Sequence, residues 1–554
     1  MSDKGQTQNV PTTKKKISFF SAMLIVMGGS IGAGIFFKSG GVLSNSQGSL
    51  ILAIFCWLIA SCAVIAMALA LIEISAVRND NLSLIGWCKE FNSRTIYKAS
   101  KNFMVYVYLP MTYFFMPLYV ILSIQDGIQS LAGRNNFGTP GADWVIWTII
   151  SLCISIYFLT VPTLWSKIGD IHNKVVLAIK FVPLVVVTIL GFVLIFTKNS
   201  SQVQVGFDEA SKTIKEGASI LGIKGIGAGL GMFLAISAIF FAYDGFYVAS
   251  GIQSEMKEPK KTPLALLFGL GITTIIYLLI SIGLSLNGGN VFSMQDNLGK
   301  LFGGTQKAQD AARILIGILN LMIGIGVLGI INGFSMWAPR FVEDLLAEGE
   351  LPFWNHKLVK GKLNPNFPKI GVIYSLVLSI PTVLIFTLIG ALGYIASNPD
   401  YVGGYDPVDK YEMAKLYSFA DLMANWTALF TFSFIGASIF GGIRNRKTNR
   451  VKIEDKKKYF VVSAWIAVVL VFSALLITLI VPFIDFFAIF AIDKNTMKPE
   501  DYTTIIISRL MLVVVLFLQC GLAFIPTIIE DKIAKKKYGS LEKFEEYKKQ
   551  QLSL

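Results

Sequence analysis

Long apolar stretches separated by shorter polar ones dominate the pattern of this chain. Twelve of the apolar stretches are long enough to cross a bilayer core, which needs roughly 20 helical residues. The pattern therefore predicts an all-α integral membrane protein. Its twelve predicted spans lie near 17–42, 50–77, 102–131, 143–163, 173–197, 228–250, 264–286, 312–339, 370–390, 417–443, 459–481 and 503–527.

The polar segments between the spans differ in charge on the two sides of the membrane. Because twelve is even, both termini lie on one side, and that side holds 34 of the 49 Lys and Arg residues. An excess of Lys and Arg marks the cytoplasmic side. We therefore predict a multi-pass protein of the cell membrane with cytoplasmic tails at 1–16 and 528–554 and an extracellular loop at 198–227. The basic C-terminal tail is expected to be a solvated helix or a helix lying on anionic headgroups.

Two of the spans are interrupted by glycine-rich sequence. GGSIGAGIF at 28–36 interrupts the first span, and FFAYDGFYVASG at 240–251 interrupts the sixth. Unpaired backbone groups are costly in hydrocarbon, so a helix opens there only where it is buried in protein or lines a cavity. Interruptions at matching positions of two halves indicate a transporter with its substrate site between them.

The spacing of the two interruptions predicts how the halves are related. They lie five spans apart, and because five is odd, spans one to five (17–197) and six to ten (228–443) have opposite orientations. This arrangement is an inverted repeat of five plus five spans. Spans eleven and twelve, at 459–527, lie outside the repeat.

Four stretches, which include the two interruptions, occur in an order that is typical of a known family. They are GGSIGAGIFFKSG in span one, NKVVLAIKFVPL (173–184) in span five, FFAYDGFYVASG with EMKEPKKTPLAL (255–266) around the end of span six, and PRFVEDLLAEGELP (339–352) after span eight. With these stretches the chain resembles the amino acid, polyamine and organocation (APC) transporter superfamily. The resemblance implies a LeuT-type fold with broken helices 1 and 6. The chain departs from the family pattern at 73–91, where relatives carry a proline and paired glycines.

A zwitterionic substrate fits the polar groups that two broken helices expose. The N–H groups that start the second half of span one favour a carboxylate, and the carbonyl ends of the first half-helices accept hydrogen bonds from an ammonium group. The resemblance implies the same placement and makes Phe241 an aromatic gate over the substrate. Alternatively, the glycines are packing contacts and Phe241 belongs to the core. The predicted substrate-binding residues are Ser30, Gly32, Ala33, Gly34, Phe241, Ala242 and Asp244.

Three charged residues inside the spans carry further expectations. Lys180 lies within span five, where a charge is costly unless it is paired or faces a cavity; the alternative is that it extends to the interface. The resemblance implies that its ammonium binds span-one carbonyls and couples transport to a proton. Asp244 is expected to steer an ammonium group, share a proton or cap a half-helix. Asp421, near a predicted span end, is expected to anchor the membrane interface.

Composition excludes several other classes of protein. The chain is 54% hydrophobic and 15% charged, and its net charge of +14 reflects topology rather than nucleic-acid binding, because no basic patch is interleaved with aromatic residues. Five cysteines form no CxxC pair, so no disulfide framework, metal site or other cofactor is indicated. His172 and His356 are predicted to lie in cytoplasmic loops, which argues against an enzyme built on histidine chemistry. No GxxxxGK[ST] motif for ATP binding is present.

The sequence as a whole predicts a secondary transporter in membrane lipid that moves an amino acid or a related amine by alternating access. A proton or a counter-exchanged amino acid supplies the driving force. Two alternatives keep the same site: a nutrient sensor that binds without transport, and a transporter of polyamines or other organic amines. A channel is disfavoured because too few polar residues lie within the spans to line a pore.

Overall fold

A computed structural model describes residues 18–32, 34–78, 80–134, 136–139, 141–196, 213–223, 226–247, 256–364, 367–394 and 411–552. These residues form seventeen α-helices joined by turns and by short 3₁₀ and π segments. Helices α1 to α9 are Phe19–Ser30, Gly34–Asn45, Leu50–Ser75, Leu84–Phe91, Arg94–Phe103, Leu109–Ala132, Asp143–Leu164, Ser166–Val193 and Ile226–Ala242. Helices α10 to α17 are Thr262–Ser285, Met294–Leu301, Gln306–Ala347, Lys369–Leu388, Tyr411–Thr448, Phe460–Phe487, Pro499–Tyr538 and Leu541–Leu552. The prediction of an all-helical protein is confirmed for this part of the chain.

The helices follow the predicted apolar segments closely. Among the described residues, ten helical runs are long and apolar enough to cross a membrane, and the pair α1 and α2 makes an eleventh if it is counted as one span. The axes of α1 and α2 are bent by 59° at the break between them. Helix α9, on the predicted sixth span, is a shorter apolar helix of 17 residues.

Local sequence explains where several helices begin. The Ser18 hydroxyl accepts a hydrogen bond from the Ser21 N–H at 3.2 Å at the start of α1, and Ser49 and Thr305 cap α3 and α12 in the same way. Such caps satisfy N–H groups that have no partner within the helix. Helices α12, α14 and α16 continue beyond the predicted apolar segments, because helical backbone hydrogen bonds are internal and need no membrane.

Burial separates a central helix from peripheral ones. Helix α5, a π segment at Met104–Tyr108 and α6 form one continuous run, and 94% of its most apolar stretch is buried inside the protein. The corresponding shares for α8 and α16 are 28% each. Because exposed apolar side chains cover α8 and α16, these helices face lipid, whereas α6 lies in the core against α12, α13 and α14.

The C-terminal helix packs on the protein instead of lying free. Lys548 of α17 is buried, and its Nζ lies 2.8 Å from Glu350 Oε1 in the turn after α12. Lys98 Nζ lies 2.6 Å from the other carboxylate oxygen. Burial alone would raise the pKa of Glu350, but the two ammonium groups outweigh it and hold that pKa well below its usual range. Lys548 thus anchors α17 to the protein by a buried ionic contact, while the other residues of this helix are exposed or half-buried. A solvated helix and a helix on lipid both stay predictions for the rest of the tail.

Candidate substrate-binding site

The two predicted interruptions meet in the folded protein. Gly245 has a φ of +98°, and a Cβ atom at this position would lie 2.9 Å from the Gly29 carbonyl oxygen. A Cβ atom on Gly34, the first residue of α2, would lie 3.0 Å from Ala242 Cα at the end of α9. Glycine is required here because the two backbones approach more closely than a side chain would permit. The glycines therefore pack helix ends together, and in doing so they place the end of α1, the start of α2 and the end of α9 side by side.

A tyrosine of α10 joins the ends of the two helices. The Tyr277 hydroxyl lies 2.8 Å from the Ser30 carbonyl oxygen and 2.9 Å from the Ala242 carbonyl oxygen, and it accepts the Gly32 N–H at 3.3 Å. A phenol has one hydrogen, so it donates to only one of the two carbonyls at a time. The other carbonyl keeps its lone pairs available. Sequence reasoning missed Tyr277, because one tyrosine in an apolar helix gives no signal of its orientation.

The predicted residues around the first interruption are mostly buried. Ser30 is 1% exposed, and its hydroxyl oxygen has no hydrogen-bond partner among the described residues. A Cβ atom on Gly32 would lie 2.9 Å from Ile330 Cδ1 of α12. Gly34 opens α2, whose first N–H groups have no helical acceptor. Ala33 lies outside the described residues.

Asp244 lies directly after α9 and faces two tyrosines. Its Oδ2 accepts a hydrogen bond from the Tyr108 hydroxyl at 2.8 Å, and its Oδ1 accepts the Gly245 N–H at 3.0 Å. The Tyr108 and Tyr247 hydroxyls are 3.3 Å apart. Tyr108 ends the π segment of the central run, and π turns inside helices are frequent at functional sites. The carboxylate thus accepts hydrogen bonds from one backbone N–H and from tyrosine hydroxyls, and its side chain is half-buried. Two carboxylate oxygens have about four acceptor positions, which leaves capacity for a further donor.

Lys180 reaches the break between α1 and α2. Its Nζ donates to the Gly28 carbonyl at 2.9 Å and lies 3.3 Å from the Ile31 carbonyl. Helix α8 begins at Ser166, so Lys180 lies fourteen residues, about 21 Å, along this helix. The side chain therefore points to backbone carbonyls of the opened helix. That geometry matches the arrangement which the superfamily resemblance implies.

Phe241 lies under a cluster of aromatic rings. Its ring centroid is 5.7 Å from that of Phe115 and 5.6 Å from that of Tyr119, both on α6. Lys38 Nζ lies 4.3 Å from the Phe241 centroid, a cation–π contact. Phe241 is 6% exposed, because the rings of Phe115 and Tyr119 and the Lys38 ammonium cover it.

An ion pair that the sequence did not predict lies beside this cluster. Lys38 Nζ of α2 lies 2.5 Å from Asp421 Oδ1 of α14, and the Tyr119 hydroxyl lies 2.8 Å from both groups. The Lys38 side chain is 1% exposed and that of Asp421 is 19% exposed. The expectation that Asp421 anchors the membrane interface is wrong, because its carboxylate is paired with a buried lysine. A signal was present: Lys38 is a charged residue inside an apolar span.

The opposite side of the site is closed by polar contacts between the segment after α3 and the end of α12. Arg78 Nη2 lies 2.9 Å from Glu348 Oε1, and Asn81 Nδ2 donates to Asp344 at 2.9 Å. The Trp337 indole N–H donates to the Asn81 carbonyl at 2.7 Å. This segment belongs to the stretch at 73–91 that departs from the family pattern, and it forms the short helix α4.

His172 does not lie in a loop as predicted. It is in the second turn of α8, where its Nδ1 lies 3.2 Å from Asn332 Oδ1 and its Nε2 lies 3.2 Å from the Tyr157 hydroxyl. His356 does lie in the connection between α12 and α13. Within the described ranges, no three His, Cys, Asp or Glu side chains are grouped so that they could hold a metal ion.

Comparison with known proteins identifies the family. The profile of the amino acid permease family matches residues 17–517, which is most of the chain. The chain belongs to the amino acid permease family. The resemblance to the APC superfamily is thereby confirmed, and this permease is a multi-pass membrane protein of a family that consists of transporters rather than enzymes.

Individual proteins resemble this permease at different levels of sequence identity. An uncharacterized protein of Mycoplasma pneumoniae is 52% identical over 98% of both chains. The serine/threonine exchanger SteT of Bacillus subtilis is 24% identical over 70% of this chain and 78% of its own. Among solved structures, MhsT in complex with L-phenylalanine has a TM-score of 0.43 at 16% identity, covering 82% of this chain and 97% of its own. The match to the family profile supports amino acid transport as the general activity of the family.

Proposed function

We propose that this permease is a secondary transporter that carries an amino acid across the cell membrane by alternating access. In this proposal the chain has twelve spans with both termini in the cytoplasm. Spans one to five (17–197) and six to ten (228–443) form a LeuT-type inverted repeat, and spans one and six are broken helices. The bend between α1 and α2 and the short length of α9 support the two breaks.

One observation carries the proposal: the two predicted interruptions lie side by side, and backbone N–H and C=O groups at this place have no full set of hydrogen-bond partners. The start of α2 presents N–H groups and the positive end of a helix dipole to a carboxylate. The carbonyls of Ser30 and Ala242 share one tyrosine hydrogen, so one of them remains open to an ammonium group. Asp244 supplies a negative charge beside them. These groups match both ends of an amino acid zwitterion, with Phe241 lying over the substrate.

Alternating access requires that the site be closed on each side by contacts that open separately. On one side, the Lys38–Asp421 pair and the Phe241 cluster link α2 and α9 to α6 and α14. On the other side, Arg78 and Glu348 link the segment after α3 to the end of α12. Both sets of contacts are formed in this structure, which supports an occluded state as one step of the proposed cycle. Spans one, two, six and seven then rock against the others as one set of contacts breaks.

Lys180 is proposed as the coupling group. Its ammonium holds two carbonyls at the break of span one, next to the substrate groups. Loss of the proton removes the positive charge from these carbonyls and weakens the contact between α8 and the opened helix. A proton bound to Lys180 therefore favours one arrangement of the break. Counter-exchange of amino acids needs no such titration and is the other mode compatible with the site.

Uptake by proteoliposomes tests this proposal. A panel of radiolabelled amino acids, beginning with serine and threonine because SteT is a serine/threonine exchanger, is offered with and without an inward proton gradient and with and without internal unlabelled amino acid. Stimulation by the gradient indicates symport, and stimulation by internal substrate alone indicates exchange. Thermal stabilisation by a panel member without flux would contradict transport and indicate a nutrient sensor. If polyamines are transported and amino acids are not, the substrate is an organic amine instead of an amino acid.

Variants separate coupling from folding. Lys180→Ala is expected to abolish gradient-driven uptake while the protein remains in the membrane. Lys174→Ala, an exposed lysine of the same helix, is the matched control and should retain wild-type uptake. Wild-type gradient-driven uptake by Lys180→Ala would refute the coupling role of this residue.

A further inference from the structure

A cavity of about 380 Å³ lies away from the substrate site, at the end of the molecule that also carries α17. One wall is the connection between α4 and α5, with Phe91, Asn92 and Ser93. The other wall is the end of α14 and the turn after it, with Arg444 and Arg450. Its volume falls within the range of roughly 300–1,000 Å³ that is usual for small-molecule sites.

The two arginines of the cavity have no acidic partner among the described residues. Arg450 Nη2 donates to the Glu90 carbonyl at 2.7 Å, which fixes its position without neutralising its charge. The Arg444 guanidinium makes no hydrogen bond or ion pair within the described part of the chain. Arginines nearby are different: Arg446 pairs with Glu73 at 2.6 Å and Arg94 with Asp531 at 2.7 Å. The cavity therefore keeps two positive charges available for an anion.

Backbone groups add to this positive potential. Helix α5 begins at Arg94, directly after Ser93, which lines the cavity and is the N-cap of this helix. The helix continues through the π segment into α6, so a long row of peptide dipoles points its positive end toward the cavity. The opposite wall is held in place by Asn445, whose side chain makes two hydrogen bonds of 2.8 Å with the Val451 backbone. The backbone of this wall is thus fixed before any ligand binds.

Apolar side chains place the cavity at the membrane surface. Phe91, Ile96 and Phe440 line it beside the arginines. Phe440 is 46% exposed and contacts the ring of Trp465 on α15, which is 47% exposed, at a centroid distance of 6.1 Å. Exposed tryptophan near the end of a spanning helix is typical of the level of lipid headgroups. A free inorganic anion would use the arginines but not this apolar wall, whereas a phospholipid uses both.

We propose that this cavity binds an anionic phospholipid, with its phosphate on Arg444, Arg450 and the start of α5 and its glycerol and upper acyl chains on the apolar wall. Basic pockets between membrane helices are suited to such headgroups. The proposed topology places the site in the cytoplasmic leaflet. The proposal does not depend on which substrate the permease carries.

Native mass spectrometry of the purified full-length protein in neutral detergent tests the proposal. The probes are phosphatidylglycerol, phosphatidylcholine with the same acyl chains, and inorganic phosphate. We expect phosphatidylglycerol to bind and to raise the unfolding temperature more than phosphatidylcholine does. The double variant Arg444→Gln/Arg450→Gln should bind phosphatidylglycerol about 30-fold more weakly, since each basic residue near the membrane surface contributes roughly a factor of five.

Two controls keep the test decisive. Lys447→Gln/Lys452→Gln removes the same charge from exposed positions of the same region and should leave lipid affinity close to that of the wild type. Arg444→Gln alone removes a side chain without protein partners, so it should weaken lipid binding without lowering the unfolding temperature of the lipid-free protein. If both double variants lose the same affinity for phosphatidylglycerol, the lipid does not bind at Arg444 and Arg450, and the proposal is wrong. Equal stabilisation by inorganic phosphate would overturn the assignment to lipid.

Discussion

The Lys38–Asp421 pair allows a quantitative test of the closure over Phe241. At 2.5 Å and an effective dielectric constant near 20, two unit charges attract by about 7 kcal/mol. Removing two ions from water costs several kcal/mol each, so the intact pair contributes little net stability. Removal of one partner has a much larger effect, because the remaining charge stays buried. For Asp421→Ala we expect a loss of about 3–5 kcal/mol, since the Tyr119 hydroxyl is then the one acceptor that the described residues offer to the Lys38 ammonium.

The double variant Lys38→Met/Asp421→Leu separates the burial of charge from the loss of contacts. It removes both ions and fills the space with apolar side chains, so its stability should return to within about 1 kcal/mol of the wild type. Glu258→Ala is the control for an exposed pair: Glu258 and Lys261 are 2.7 Å apart but 59% and 49% exposed, so its loss should cost less than about 1 kcal/mol.

The assay is equilibrium unfolding of the purified protein in detergent, followed by tryptophan fluorescence. Two results would refute the reasoning. If Asp421→Ala costs no more than Glu258→Ala, then the Lys38–Asp421 pair is not buried. If the double variant is as unstable as Asp421→Ala, then the lost contacts, rather than an unpaired charge, determine the stability.

Three other predictions concern the site and the tail. Tyr277→Phe removes the hydroxyl shared by two carbonyls and one N–H, and should lower the free energy of unfolding by about 1–3 kcal/mol; an unchanged value would contradict this linkage. Gly245→Ala should abolish uptake, because its Cβ would meet a carbonyl 2.9 Å away at a φ of +98°, whereas Gly271→Ala, with open space around it, should transport normally. The depressed pKa of Glu350 stabilises the fold fully above about pH 4.3 and progressively less as the pH falls below that value. The unfolding temperature of the wild type should therefore fall more steeply below this pH than that of Glu350→Gln; parallel curves would exclude the ionic contact.

Several features of the site could be predicted because they are local in sequence. Glycine runs at 28–34 and the aspartate at 244 indicate where a helix opens, since an opened helix needs glycine and polar residues at that position. Lys180 was predicted to be unusual because a charge inside an apolar segment needs a partner. Contacts of Lys180 with the Gly28 and Ile31 carbonyls agree with the arrangement that the superfamily resemblance implies.

Other features depend on how distant helices rotate against each other. Tyr277 and Ser30 are 247 positions apart, and Lys38 and Asp421 are 383 positions apart. An apolar helix of the membrane core is apolar on every side, so its sequence does not tell which face carries Tyr277 toward the breaks. The wrong expectation for Asp421 has the same origin: its place near a predicted span end indicated an interface, and only the folded arrangement of the helices brings Lys38 of α2 to it.

The sequence by itself determined that the chain is helical and that it lies in a membrane, because both properties follow from the free energy of transferring each apolar segment from water into hydrocarbon. It also predicted that spans one and six are broken. The tertiary structure decided which groups contact the site, that the Tyr277 hydroxyl lies within hydrogen-bond distance of the Ser30 and Ala242 carbonyls, and that Lys548 of the C-terminal helix is buried against Glu350. These contacts join residues from separate segments. Their energies depend on distances and burial that exist only after the helices have packed.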